Sequence, residues 1–367
     1  MLVDIKKKGY PVLDYRPGVN NPRNSEGAFL DLKDGRIMFV YSRFIGESHS
    51  DDAKACIVAV FSTDCGETWQ DERVIDHPDR HEALNIMSVS LLRMQNGDIG
   101  LFYVIRRGWH DARLHLFRSS DEGLTWSEPV CCVPGLGYYV VNNDRVVRLS
   151  SGRLLVPSAL HKMRTTDTIK WGSFDSRGTV YVMISDDDGV TWREATNSCS
   201  LTVPHTRSGL QEPGIIELKN GALWMYHRTD LGRQYESFSV DGGETWSEAV
   251  PSQFTSSVSP LSVKRNPSNG HLLAVWNPIP NYQLRKIGKH SWGRAPLVGA
   301  ISQDEGKTWT NHFAIQTEED NGGYCYTAIH FTSDAVLLAY CAGEPEDGIC
   351  LARLKMTKVL LSDIYTE

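Results

Sequence analysis

The chain has 367 residues, a formal net charge of −7, and 41% hydrophobic and 10% aromatic residues, ten of them Trp. Those values exclude a disordered chain and a general polyanion binder such as a nucleic-acid protein, though a local basic pocket stays compatible with them. The length would serve two average domains, yet all-β propellers and barrels often run this long as one unit.

Residues 1–10 carry Lys6, Lys7 and Lys8 with no apolar run behind them, so no secretory signal is expected there, and no stretch approaches a membrane span. The eight Cys show no C-x-x-C spacing and sit mostly in apolar runs, which suits reduced thiols in the cytoplasm unless an export signal has been removed. From Gly27 the chain falls into a repeat. An apolar strand, a short x-x-G-x turn and a second strand recur at Gly27–Arg43, Ser88–Arg107, Asn143–Leu160, Glu212–Thr229, Pro260–Asn277 and Thr327–Gly343. After each of the first five comes S-x-D-x-G-x-T-W, at Ser62–Trp69, Ser119–Trp126, Ser185–Trp192, Ser239–Trp246 and Ser302–Trp309.

Each of these boxes reads as a hairpin turn. Its Asp accepts backbone N–H groups, its Gly takes a left-handed backbone angle, and its Trp packs between sheets. The sixth unit has no box, and its turn is Ser333-Asp334, as expected of a terminal repeat that closes a ring against the N-terminal strand. The expected fold is all-β, a six-bladed β-propeller with five such hairpins, forming one domain over residues 1–367. Asp186-Asp187-Asp188-Gly189 resembles the start of a calcium loop, but four sister boxes make the same turn without the extra acids. His77-Pro78-Asp79-Arg80-His81 has a metal-like interval without a helical pattern. No metal and no cofactor is expected.

In a propeller the inner strands converge on an axis, and their ends form one funnel. The ends of the strand–turn–strand units therefore supply the candidates: Glu26, Arg43, Arg106, Asp144, Arg145, Glu212, Arg228, and Tyr324 or Tyr326. Asp144 with Arg145 reads best as an internal pair at a strand end. Glu26 takes in the first unit the place of Glu212 in the fourth, giving two facing carboxylates.

The segment Leu210–Arg228, with its acid, strand, Gly turn, strand and Arg, resembles a pattern of the sialidase superfamily, and so does the box repeat. The resemblance implies an exo-acting glycoside hydrolase in which Glu212 is the base behind a tyrosine nucleophile and Arg228 is one of three arginines clamping the substrate carboxylate. His290–Leu297 is similar to the segment carrying a second clamp residue, which makes it Arg294. Gly323–Ile329 looks like the nucleophile segment, which Tyr326 fits better than Tyr324. Ser48–Ala53 resembles the acidic loop that supplies the acid/base, with Asp51 as the choice and Asp52 second.

These residue types have a physical logic. A carboxylate nucleophile would be repelled by a sugar acid's own carboxylate, whereas a neutral Tyr is not. Arg meets a carboxylate with two parallel hydrogen bonds. One departure stands out: the family's first clamp arginine falls on Ser25, with Arg23 two residues earlier on the same face of a strand. The partner is thus expected to be a glycan or glycoside, with no nucleic acid and no membrane. The sugar is a sialic acid, another 2-keto-3-deoxy or acidic sugar, or a different glycan cleaved through Glu26 and Glu212. A non-catalytic glycan-binding propeller is the third reading.

Overall fold

Period-2 alternation between turn signals dictates strands, and the computed structural model, which describes residues 5–165, 173–279, 292–317 and 322–366, is all-β with a β-propeller arrangement. The basic loop Arg285–His290 lies outside the described residues. The first sheet runs Asn24–Asp31, Ile37–Phe44, Ala55–Ser62 and Gln70–Asp76, each strand antiparallel to the next. Two later sheets repeat the plan: Gln211–Glu217 to Val250–Thr255, and Ser262–Arg265 to Thr310–Gln316. Residues 85–131 and 138–194 form a nine-stranded sheet, its two halves joined by a single parallel pair, Tyr138↔Ala112.

The last sheet takes three strands from the C-terminal part, Gly323–Phe331, Ala335–Gly343 and Arg353–Leu360, and its fourth, Tyr10–Tyr15, from the other end of the chain. Sheets meet face to face through apolar side chains. Phe39 and Val58 of the first sheet pack with Ala328, Leu337 and Ala339 of the last, so the first and last sheets are neighbours. No helix among the described residues is long and apolar enough to cross a membrane.

The box turns lock this arrangement. Asp64 accepts Thr68 N at 2.9 Å and Thr68 Oγ1 at 2.6 Å, while Ser62 Oγ donates to Asp64 and accepts Gly66 N, both at 2.8 Å. The same donors serve Asp121, Asp187, Asp241 and Asp304. Gly66 has φ +86°, and a Cβ there would fall 2.5 Å from Leu337 Cδ1 of the last sheet, so both the turn and the sheet contact require glycine.

Partial burial opposes ionisation at Asp64 and Asp241. The threonine and amide donors, which lead at Asp121, Asp187 and Asp304, win at all five and hold these carboxyls down to about 2. A carboxyl depressed in the folded state stabilises above its unfolded pKa and loses that contribution as pH falls through the folded value. The melting temperature, followed by circular dichroism, is therefore expected to drop steeply between about pH 4 and 2. Equal melting at pH 2 and pH 5 would contradict this account.

Candidate functional site

Four inner strands share one irregularity. Asn24↔Arg43 is followed by Gly27↔Tyr41, Met87↔Val104 by Ser90↔Phe102, Gln211↔Arg228 by Gly214↔Tyr226, and Cys325↔Cys341 by Ala328↔Ala339. Each is a bulge in which two residues face one, which re-aims side chains out of the sheet. Three of the first bulge residues hold left-handed backbone: Ser88 (φ 67°), Glu212 (φ 45°) and Tyr326 (φ 58°). Non-glycine residues persist there only when their surroundings impose it, a form of strain that gathers at functional sites. The register also corrects one expectation: Ser25, not Glu26, occupies the place of Glu212.

The bulges open onto a cavity of about 490 Å³ lined by Arg23, Glu26, Asp51, Arg106, Glu212, Arg228, Arg294 and Tyr326, together with an aromatic wall that includes Tyr138 and Trp292. Tyr326 Oη donates to Glu212 Oε1 at 2.9 Å, and Arg228 Nη1 reaches the same oxygen at 2.5 Å and Tyr326 Oη at 3.2 Å. Burial, then the charge of Glu212, pushes the Tyr326 phenol well above its usual range against the pull of Arg228 and Arg294. The ring is thus neutral at rest, with a proton acceptor in place. Arg294 is 3% exposed, donates to Cys325 Sγ at 3.1 Å, and lies over the Tyr326 ring.

Arg23, 1% exposed, reaches this cavity and donates to Asp51 Oδ1 at 2.6 Å and to Ser25 Oγ at 3.0 Å. Ser25, standing at the expected clamp position, thus supports the arginine that enters from two residues earlier. Arg106 donates to the Asp51 carbonyl and lies over Trp109 and Tyr138. At Asp51 burial acts upward, but the guanidinium groups, Arg23 foremost with Arg106 and Arg294, together outweigh it and the net shift is downward. Glu26 goes the other way. Burial pushes its carboxyl up to about 7 in spite of Arg23 and of Ser88 Oγ, which donates to it at 2.7 Å.

Five candidates do not reach the cavity. Arg43 turns outward to Glu72 on the edge strand Gln70–Asp76. Asp52 points away and accepts Ser50 Oγ. Asp144 and Arg145 do not pair with each other: Asp144 takes Lys264 at 3.1 Å, while Arg145 donates to the Leu261 carbonyl at 2.7 Å and lies over Tyr226. Both line a smaller cavity of about 190 Å³. Tyr324 is fully buried against Tyr340 in the sheet core, because the bulge after Cys325 turns Tyr326 into the cavity and leaves Tyr324 on the inner face. His161, Gln211 and Phe174 line the cavity without having been singled out in the sequence, and no local motif marks them. Among the described residues no group of three or more His, Cys, Asp or Glu could hold a metal ion, and all eight Cys are free.

The family model described as "BNR repeat-like domain" matches residues 44–338. The chain is 28% identical over 232 residues to a protein of Macrobdella decora named anhydrosialidase, covering 58% of this chain and 27% of that one. It is 26% identical over 229 residues to a sialidase of Bacteroides fragilis, covering 59% and 37%. It therefore spans only about a quarter to a little over a third of the length of these curated relatives. In structure it is similar to an intramolecular trans-sialidase of Ruminococcus gnavus, with TM-score 0.70 and 15% identity over 96% of this chain and 98% of that one, which shows a shared fold.

Proposed function

The chain belongs to the BNR repeat-like family of the sialidase superfamily, and from that premise we propose that it is an exo-acting glycoside hydrolase that releases a terminal sialic acid or a related acidic sugar. The observation that carries the reading is the hydrogen-bonded set Tyr326–Glu212–Arg228 facing Arg23 and Arg294 in one cavity. In this reading the chain is a single domain of six blades, the nine-stranded sheet being two blades in edge contact at Tyr138.

Tyr326 Oη attacks the anomeric carbon as its proton passes to Glu212, and Asp51 gives a proton to the departing oxygen. Water, deprotonated by Asp51, then breaks the tyrosyl–sugar bond, and Glu212 returns the proton to Tyr326. Four guanidinium groups facing three carboxyl groups suit a substrate with one negative charge. A carboxylate entering the pocket competes with Asp51 for Arg23, and when Arg23 turns to it, Asp51 loses the charge that keeps it ionised and becomes a better acid.

A second reading is supported by Glu26, a carboxyl near neutrality in the same cavity: Glu26 as acid and Glu212 as base would cleave a sugar without a carboxylate. The two readings separate in one assay, release of a fluorophore from an α-sialoside by the purified protein. Release that Tyr326→Phe and Glu212→Gln both lose supports the first. No release, together with turnover of neutral glycosides that Glu26→Gln abolishes, supports the second. Binding of sialosides without turnover of any glycoside would leave a glycan-binding module.

Glu26 also predicts a pH dependence. Above about 7 its ionisation adds a negative charge to the pocket and opposes an anionic ligand; below about 7 it is neutral. KM for an α-sialoside is therefore expected to rise several-fold from pH 6 to pH 8, and Glu26→Gln is expected to flatten that rise. An unchanged slope in the variant would remove Glu26 from the account.

A further inference from the structure

His161 is part of the cavity wall. It stands near the end of the strand Leu154–Met163, paired across to Tyr138 and Gly178, and is 4% exposed. Its ring meets Tyr138 and Phe174 edge-on, at 6.1 and 5.5 Å between centroids, so packing fixes its orientation. Nδ1 lies 2.9 Å from the backbone carbonyl of Asp175.

A carbonyl oxygen only accepts, so Nδ1 carries the proton. Burial, helped by Arg228, disfavours a second proton on the ring, outweighing the hydrogen bond to the Asp175 carbonyl and the charge of Glu212. Nε2 is then a lone pair on a ring that lines the cavity, the contact with the Asp175 carbonyl being made by the other nitrogen. Two more acceptors belong to residues that line the same cavity. Gln211 Nε2 is committed to the Ser176 carbonyl at 3.0 Å, which leaves its Oε1 as the free end, and Glu212 Oε2 is buried without a partner among the described residues. These three atoms accept hydrogen bonds and offer none, although Arg228 stands among them. A carboxylate or a carbonyl gains nothing from them, whereas a hydroxyl does.

On the reading that a sugar acid occupies the cavity, we infer that His161 is a specificity-determining residue whose Nε2 accepts a hydrogen bond from a substrate hydroxyl, with Gln211 Oε1 as a second acceptor. The pocket then selects polyhydroxylated acidic sugars over their deoxy or shortened counterparts. A site built to bond a hydroxyl rejects the analogue lacking it, because the buried acceptor is left unpaired.

The test compares kcat/KM on the intact α-sialoside, on the same glycoside with its side chain shortened by periodate oxidation and borohydride reduction, and on a ring-deoxy analogue. The enzymes are wild type, His161→Phe and His161→Gln. One analogue is expected to lose roughly tenfold with wild type, about the worth of one hydrogen bond. His161→Phe should lose a similar factor on the intact substrate and nothing further on that analogue, and His161→Gln, whose amide reaches the Nε2 position, should recover most of it.

Equal losses by His161→Phe on every glycoside would overturn the inference. Should wild type cleave no sialoside, the proposed function fails, and nitrogen-15 NMR of the imidazole decides the inference by itself. A neutral ring protonated at Nδ1 at pH 7, with an Nε2 resonance that moves upfield on addition of free sialic acid, supports it. A ring protonated at Nε2, or no shift, overturns it.

Discussion

Tyr326→Phe is expected to lower kcat on an α-sialoside by roughly three orders of magnitude or more while moving the melting temperature by no more than about 4 °C. The hydroxyl is the only atom removed, and its single described acceptor, Glu212 Oε1, keeps its bond to Arg228 at 2.5 Å. No buried charge is orphaned, so the stability cost stays small. The catalytic cost is large because the attacking oxygen itself is lost from its place beside Glu212, and the Cys325 thiol, next in the chain, is held by Arg294 and raised by burial. Loss of binding without loss of kcat would show that the phenol only packs against the sugar, and would remove the nucleophile from the mechanism.

Arg23→Met is expected to raise KM roughly 10- to 100-fold for an acidic substrate, the worth of one or two charge-assisted hydrogen bonds. It should also move the alkaline limb of the kcat/KM profile to higher pH. Wild-type Asp51 is shifted downward by Arg23 against the effect of burial. An acid that must be protonated to act, and whose pKa is depressed in the free protein, gives a kcat/KM that falls as pH rises through the usual carboxylate range. Without Arg23 burial is opposed by the charges of Arg106 and Arg294 but no longer by the ion pair, and the fall comes later. Met keeps the apolar contact with Phe44, over whose ring the guanidinium lies at 4.5 Å. An alkaline limb that stays in place would detach Asp51 from the acid role, whatever happens to KM.

Local chemistry made much of this legible. A box such as Ser239–Trp246 encodes its own turn, since the Ser, Asp, Gly and Thr that bond one another lie within seven residues, and the x-x-G-x hairpins are equally local. Glu212 and Arg228 could be read because a short hairpin brings them together. Assignments failed or needed adjustment where a bulge intervened. Two residues against one break the alternation on which face assignment rests, which is why Ser25 stands where Glu26 was expected and Tyr324 lies in the core. Arg43 and Arg228 pair with the residue just before equivalent bulges, yet Glu72 on a neighbouring strand draws Arg43 outward. The roles of Arg106 and His161 depend on residues tens of positions away, Asp51 in one case and Tyr138 in the other, and no pattern along the chain records such meetings.

The pairing of Tyr10–Tyr15 with Arg353–Leu360 has a consequence for synthesis on the ribosome. Tyr10 meets Lys358, about 350 residues later, and at about 5–20 residues per second the earlier strand waits on the order of 20–70 s for its partner to emerge. Through that interval an unpaired edge hangs from the nascent chain, where any passing strand could add to it. Pro11 within the segment, and Lys6, Lys7 and Lys8 just before it, are features that discourage such additions. The clasp that closes the ring is thus also the part of the polypeptide left longest in need of protection, and a chain halted before residue 353 would leave its first strand permanently open.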